Sequence, residues 1–297
     1  MTTKCSFVAL IGAPNAGKST LINNFVGTKV SIVSPKVQTT RARVLGVLTE
    51  AETQLVFIDT PGIFKPEKRL QRAMVEAAWQ GAYDADSIVL MVDAAKYKSH
   101  DNVQLFEKLK KLEKPKILVL NKIDLIAKVK LLEIVSFLHT RGTFESIFMI
   151  SALTSDGVSD LKKHLTEKAL VGPWHFPEGQ LSNLTDRLFA AEITREQLFL
   201  KLHEELPYGL TVETESWEEF DNGSIKINQM ITIDRAGHKA MILGAKGRMI
   251  KEISQTSREE LEVHYGVKIH LYLFIRVREN WQDNPSHYKE MGIDFTK

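Results

Sequence analysis

The segment Gly12-Ala13-Pro14-Asn15-Ala16-Gly17-Lys18-Ser19 follows the apolar run Phe7-Val8-Ala9-Leu10-Ile11 and precedes Thr20-Leu21-Ile22. Its spacing is G-x-x-x-x-G-K-S, in which two glycines let the backbone curl so that successive N–H groups point inward at a polyphosphate. The helix that follows adds its partial positive charge. Lys18 is placed to reach the β- and γ-phosphates, and the Ser19 hydroxyl is short enough to ligand a Mg²⁺ holding the same oxygens. Gly12, Asn15, Ala16, Gly17, Lys18, Ser19 and Thr20 are therefore the candidate phosphate contacts. An ordinary Gly-containing turn is the competing reading, and the strand-to-helix context tells against it.

Two further stretches carry groups that such a site needs. Lys29 to Arg43 is polar, contains Pro35 and reads as a loop ending in Gln38-Thr39-Thr40-Arg41. A threonine here can complete a Mg²⁺ shell when a γ-phosphate is present, which makes the loop a switch; Thr40 is the first choice and Thr39 the second. Asp59-Thr60-Pro61-Gly62 closes an apolar run. There Asp59 can hold Mg²⁺ through water, and Gly62 can offer its N–H to the γ-phosphate. Lys18, Thr40, Asp59 and Gly62 thus form the expected hydrolytic set, with Ser19, Thr40 and Asp59 at the metal. Ile63 stands where many GTPases carry a water-orienting glutamine, and isoleucine cannot do that work. Slow unaided hydrolysis is expected, with Asn15 helping to hold a K⁺ that supplies charge near the phosphates.

The base-reading groups lie further on. In Asn121-Lys122-Ile123-Asp124 the aspartate can accept both N1–H and the 2-amino hydrogens of guanine. Adenine offers neither, and a site built on such bonds rejects the wrong base by about 10⁴-fold. Asn121 and the stem of Lys122 brace that loop. In Ser151-Ala152-Leu153 the Ala152 N–H can meet guanine O6. A metabolic P-loop kinase is the rival here, and Asp124 is the residue that argues for guanine.

These groups need a scaffold, and the pattern supplies one. Strands are expected at Val44–Glu50, Gln54–Ile58, Ser87–Val92, Lys116–Leu120 and Ile147–Ile150. Helices are expected at 67–80, 102–112, 128–139 and 158–168. That alternation builds a mostly parallel sheet with both faces covered and ligands at the strands' carboxyl ends. Over roughly residues 5 to 170 the chain resembles the small translation-factor-related GTPases.

From Val171 the run Gly172-Pro173-Trp174-His175-Phe176-Pro177-Glu178-Gly179 reads as a linker, with Trp174 and Phe176 pinning it to a domain. A helix from Thr185 to Leu206 follows, burying Leu188, Ala191, Leu198, Leu202 and Leu206 on one face. Pro207-Tyr208-Gly209 breaks it. Strands at 210–219 and 224–234 come next, the second alternating through Ile225 and Ile227 and slipping at Gln229-Met230 before Ile231 and Ile233. Then Gly244-Ala245-Lys246-Gly247 forms a G-x-x-G turn, followed by a helix to Tyr265 and a strand at 267–277. A G-x-x-G turn brings backbone against a nucleic-acid strand with no Cβ in the way. Ile242, Gly244, Ala245, Lys246, Gly247, Arg248 and Lys251 are the candidate RNA contacts.

This order of elements resembles a type II KH domain, whose loop clamps about four single-stranded nucleotides. The whole chain resembles the Era GTPases, with Gln38-Thr39-Thr40-Arg41 and Glu205-Leu206-Pro207-Tyr208 as the matching signatures. The resemblance implies an α/β P-loop GTPase domain at 1–170, a linker at 171–184, a smaller α+β KH domain at 185–280 and a tail at 281–297. It also implies GTP and GDP as substrate and product, Mg²⁺, and binding near the 3′ end of small-subunit (16S-type) ribosomal RNA during maturation of that subunit. Peripheral association with the inner membrane also occurs among family members.

Composition sets the outer bounds. The 297 residues are enough for two cores, and no run nears the roughly 18 apolar residues of a membrane span. Met1-Thr2-Thr3-Lys4-Cys5 carries no signal-like stretch, so a cytoplasmic location is the expectation; a monomer is expected as well. Cys5 is the only cysteine, which excludes an intramolecular disulfide and a cysteine metal cluster, and the nine histidines show no metal spacing. Net charge is +2, yet from Gln180 onward 15 Lys and Arg meet 19 Asp and Glu. RNA binding by the second half must therefore be local, and a protein-binding second half or a chaperone with non-essential hydrolysis are the competing readings.

Overall fold

The computed structural model describes residues 2–203 and 206–295, which leaves Glu205 of the Glu205-Leu206-Pro207-Tyr208 signature outside the described residues. Two compact units divide the chain. One holds residues to Val33, Thr40–Asn183 and the tail from Tyr288; the other holds Ser34–Thr39 and Leu184–His287.

In the first unit the elements run β1 Lys4–Gly12, α1 Lys18–Val26, β2 Val44–Glu50, β3 Thr53–Asp59, α2 Arg69–Asp84, β4 Ser87–Asp93, α3 His100–Leu109, β5 Lys116–Asn121, α4 Lys128–His139, β6 Ser146–Met149 and α5 Val158–Lys168. The sheet order is β2-β3-β1-β4-β5-β6. Only β2 is antiparallel to its neighbour, joined to β3 through a short turn. Side chains alternate across the strands, and both faces are apolar. Val8 and Leu10 of β1 join Val89 and Met91 of β4 in one cluster, while Ala9 and Ile11 join Ile88, Leu90 and Val92 in the other. A strand buried on both sides belongs in the middle of a helix-covered sheet, which puts β1 and the end of its glycine loop at the centre.

The stretch after α5 is held along this unit. Val171 bridges Lys4 and Ser182 bridges Gly46, both antiparallel. The buried Gln54 carboxamide accepts the N–H groups of His175 and Phe176 at 2.9 and 3.0 Å and donates to the Phe176 carbonyl at 2.9 Å. Trp174 Nε1 donates to the Glu52 carbonyl at 3.3 Å. Cys5 is a buried core residue.

The second unit contains α6 Asp186–Lys201, β7 Leu210–Glu219, β8 Ile225–Ile233, α7 Ala236–Leu243, α8 Arg248–Tyr265 and β9 Ile269–Val277. Its sheet order is β7-β8-β9, antiparallel then parallel. Three expectations are corrected here. Helix α6 ends at Lys201 rather than Leu206, and the Lys36 ammonium donates to the freed carbonyls of Phe199 and Leu202, where a cation opposes the helix dipole.

The α6 helix is also not buried on one face alone, because Thr194, Arg195, Glu196 and Gln197 are buried too. Polar partners make this tolerable: Thr194 donates to Gln229 at 2.6 Å, Arg195 pairs with Glu192 and donates to the Thr39 carbonyl at 2.6 Å, and Gln197 donates to Glu260 at 3.1 Å.

Finally, β8 has no slip. Gln229 continues the buried face of Ile225, Ile227, Ile231 and Ile233, its carboxamide held by Thr194 and by Thr214 at 3.2 Å. The irregularity lies on the partner strand, between Thr214 and Ser216 of β7.

Candidate nucleotide and RNA sites

The candidate phosphate loop forms a ring after β1. Asn15 adopts φ 61° and Gly17 φ 98°, and a Cβ at Gly17 would lie 2.2 Å from Asn121 Nδ2. Glycine is thus required twice over, by conformation and by contact. Ala16 is buried in the core, so it faces a ligand only through its backbone, and Thr20 is half-buried on the first turn of α1. Lys18 is buried inside the ring, donating to the carbonyls of Gly12 and Ala13 at 3.2 and 3.3 Å. Burial pulls its pKa down to about 8, opposed by the Asp59 carboxylate. An anion in the ring would favour the charged form.

Three oxygens converge beside it. Ser19 Oγ donates to Asp59 Oδ2 at 2.7 Å and lies 3.0 Å from Thr40 Oγ1, which itself is 3.4 Å from Asp59 Oδ2. Thr39 turns away, donating to the Lys36 carbonyl at 2.8 Å and Ser34 at 3.1 Å, so Thr40 is the threonine at the cluster. Burial pushes the Asp59 carboxyl upward, against hydrogen bonds from Ser31, Ser19 and Thr40 and the Lys18 charge. Its second oxygen, Oδ1, is buried without a hydrogen-bond partner among the described residues. A carboxylate with one orphaned oxygen beside two hydroxyls is a hard-oxygen donor set that fits Mg²⁺ and its water. When bound, such an ion would supply charge at the phosphate oxygens.

Gly62 comes close to the loop. A Cβ there would lie 2.7 Å from Pro14 Cα, and the Ile63 N–H donates to the Gly12 carbonyl at 3.1 Å. The Ile63 side chain is buried in the core and does not face the ring.

At the end of β5, Asn121 Nδ2 donates to the Ala16 carbonyl at 2.8 Å, and Asn121 Oδ1 accepts the Ala152 N–H at 2.9 Å. The Ala152 N–H, the candidate partner of guanine O6, is directed at Asn121 here. Ser151 is fully buried, and its hydroxyl accepts from Thr154 N–H at 3.2 Å. Lys122 takes φ 64° and its ammonium pairs with Asp93 at 2.7 Å. Asp124 stands exposed at the rim.

In the second unit Gly244 has φ 68° and ψ −178°, Lys246 φ 53° and Gly247 φ 73°. A Cβ on Gly244 would lie 2.7 Å from Met249 Cβ, whereas Gly247 has open space around it. Ala245, Lys246, Arg248 and Lys251 are exposed, along with Arg235 and Lys239. Ile242, also in the candidate set, has its side chain fully buried in the core of this unit. Sequence reasoning missed Met241 and Leu243, exposed apolar side chains flanking the turn. It also missed Ser31 and Asn23 near Asp59, which no local motif marks.

A lysine inside a glycine ring, hydroxyls gathered on a strand-end aspartate, and an Asn-Lys-x-Asp loop tied back to that ring together define a P-loop guanine-nucleotide-binding domain, here in one chain with a KH-type module. A model for the 50S ribosome-binding GTPases matches residues 7–122, and one for KH domains matches residues 205–282. The chain is 52% identical over 295 residues to GTPase Era of Sinorhizobium medicae, covering 99% of this chain and 95% of that one. It is 50% identical over 295 residues to GTPase Era of Bradyrhizobium sp., covering 99% and 96%. Among solved structures, Era in complex with MgGDPNP and nucleotides 1506–1542 of 16S ribosomal RNA superposes with a TM-score of 0.93 at 38% identity, over 98% of this chain and 99% of that one. The chain belongs to the Era GTPases.

Proposed function

We propose that this chain is a GTP-hydrolysing switch that binds small-subunit ribosomal RNA near its 3′ end and assists assembly of that subunit. The observation that carries the reading is the gathering of the Ser19 and Thr40 hydroxyls on Asp59 Oδ2, with Oδ1 left without a hydrogen-bond partner among the described residues, beside the buried Lys18. Support for the RNA half comes from the exposed basic G-x-x-G turn and from the RNA in complex with the solved relative.

Ser19 and Thr40 would ligand Mg²⁺, with Asp59 holding its water shell. Lys18 neutralises the β- and γ-phosphates, and the backbone from Asn15 to Thr20 cradles them. Gly62 N–H meets the γ-phosphate. Asp124 reads the guanine edge, and Asn121 and Lys122, with Ser151 and Ala152, keep its loop in place. Water attacks the γ-phosphorus and GDP leaves; no side-chain general base is assigned. Asn15 contributes to a K⁺ site, so turnover should be faster in K⁺ than in Na⁺ buffer, and equal rates would remove that ion from the scheme.

Gly244, Ala245, Lys246, Gly247, Arg248 and Lys251 hold the RNA backbone. The working division is 1–170 for the GTPase domain, 171–184 for the linker, 185–280 for the KH domain and 281–297 for the tail. No helix among the described residues is long and apolar enough to cross a membrane. A cytoplasmic monomer, able to meet the inner face of the membrane peripherally, is the arrangement we adopt.

The test is binding of a short RNA copying the 3′ end of small-subunit ribosomal RNA, with the protein loaded first with a non-hydrolysable GTP analogue and then with GDP. About tenfold tighter binding with the analogue, roughly 1.4 kcal/mol of coupling, is expected. No binding in either state would overturn the RNA assignment.

A further inference from the structure

Asp59 receives a hydrogen bond that no nucleotide-site motif accounts for. Ser31 Oγ donates to Asp59 Oδ2 at 2.6 Å, and Ser31 is 3% exposed. Its position is built by one side chain of α1. Asn23 Oδ1 accepts the N–H groups of Val30 and Ser31, both at 2.9 Å, while Asn23 Nδ2 donates to the Ser31 carbonyl at 2.7 Å. Asn23 lies four residues after Ser19, on the same helix face. The helix that carries the Ser19 hydroxyl to the cluster thus also pins the start of the loop that carries Thr40.

The other two hydroxyls on Asp59 belong to Ser19 and Thr40, the groups assigned above as metal ligands. Ser31 is the third, and it is anchored independently of any ion. A charge-assisted bond of this kind fixes which way a carboxylate turns and favours its ionised form. With Ser31 holding Oδ2, the orphaned Oδ1 stays presented to the metal's water.

We infer that Ser31, placed by Asn23, is a positioning residue that orients the Asp59 carboxylate for Mg²⁺-dependent nucleotide binding. This rests on the Mg²⁺·nucleotide reading of the site. The role needs a hydroxyl donor at this position and no more.

The test compares full-length wild type with Ser31→Ala, Ser31→Cys and Ser31→Thr. Affinity for a fluorescent GDP is measured once in Mg²⁺ and once in excess EDTA, and the ratio of the two is the readout. Wild type should bind tighter in Mg²⁺; if it shows no gain, the Mg²⁺ reading of the site fails, and this inference with it. Given that gain, Ser31→Ala and Ser31→Cys should lose about tenfold of it, as expected for a bond to a charged group, with affinity in EDTA changed by less than about twofold. Ser31→Thr, which keeps the donor, should recover most of the gain.

Retention of the full gain in Ser31→Ala and Ser31→Cys overturns the inference. So does an equal loss in Mg²⁺ and EDTA, which marks a packing role, and so does failure of Ser31→Thr where Ser31→Cys succeeds. Should Ser31→Ala fail to fold, the contrast between the Cys and Thr variants carries the same decision.

Discussion

The Asn121 carboxamide donates to the Ala16 carbonyl at 2.8 Å and accepts the Ala152 N–H at 2.9 Å, joining the phosphate loop after β1 to the loop after β6 across the carboxyl edge of the sheet. The candidate phosphate and base subsites are therefore linked through protein. Both backbone partners belong to buried residues, so neither can exchange Asn121 for water.

Truncation to Asn121→Ala leaves those two groups unpaired, each costing about 1–3 kcal/mol. The first unit should melt at least about 4 °C lower, since about 1 kcal/mol moves the midpoint of a domain of this size by 2–4 °C. GTP and GDP affinities should fall together, because the bond serves neither phosphate state in particular. Thermal denaturation and nucleotide titration read the two effects, and unchanged affinity would mean that the tie does not shape the site.

The proposed base selection rests on one exposed carboxylate, Asp124. An Asp124→Asn substitution exchanges an acceptor-only group for one that also donates, so guanine's two donors lose an acceptor while xanthine, with a carbonyl at C2, gains a donor. GTP affinity should fall by at least about 10²-fold and xanthosine triphosphate affinity should rise, with stability unchanged at this exposed site. Competition of each nucleotide against a fluorescent GDP checks it.

Gly62 lies so close to Pro14 that a Cβ would come within 2.7 Å of the Pro14 Cα and 2.8 Å of its nitrogen. Backbone on that side cannot yield as a flexible side chain would. Gly62→Ala should therefore push the residues after β3 away from the ring, lowering the single-turnover hydrolysis rate by about tenfold or more while GDP affinity stays within a few-fold. Comparable losses in both would show that the loop itself had been distorted.

The nucleotide motifs were legible because each is short, contiguous and sited where backbone geometry restricts the residue: positive φ at Gly17, close approach at Gly62, a strand end at Asn121. The sequence ranks Thr40 above Thr39, and the folded loop supplies the physical difference: Thr39 turns to Lys36 and Ser34 while Thr40 meets Ser19. The buried polar groups were illegible for a related reason. Gln229 reads as a slip when polarity is equated with exposure, yet Thr194 and Thr214 satisfy it inside the core. Arg195 and Gln197 break the amphipathic pattern of α6 in the same way. Ile242 lies close to the G-x-x-G turn in sequence, yet its side chain enters the core of the second unit. Ser31 reaches Asp59 across 28 residues of sequence, a separation that no local pattern records.

For the G-x-x-G turn, Lys246 and Arg248 are exposed charges on either side of Gly247. The double substitution Lys246→Ala/Arg248→Ala should weaken single-stranded RNA binding and flatten its dependence on salt by about 0.7 for each phosphate left without a cation. Gly247→Asp adds a like charge to the phosphate backbone and strains a position at φ 73°, so it should remove binding while leaving GTP hydrolysis intact. Filter binding across a series of salt concentrations distinguishes removal of charge from disruption of the fold.

Acid stability of the second unit should depend on Glu213. His287 Nδ1 lies 2.5 Å from its carboxylate, with His287 almost fully buried, and Arg276 lies 3.6 Å away. The His287 imidazole, together with Arg276 and Arg278, holds the carboxyl below its ordinary value of 4.5 against the opposing effect of burial. A carboxyl whose folded pKa is depressed binds fewer protons folded than unfolded, so its contribution is fully present above 4.5 and is lost as pH falls through the lower folded value. Urea unfolding at pH 6.0, 4.5 and 3.5 should show wild type more stable than Glu213→Gln at the highest pH, with the gap narrowing as pH falls below 4.5. A gap independent of pH would assign the effect of the substitution to packing of the carboxamide rather than to the charge that Glu213 presents to His287.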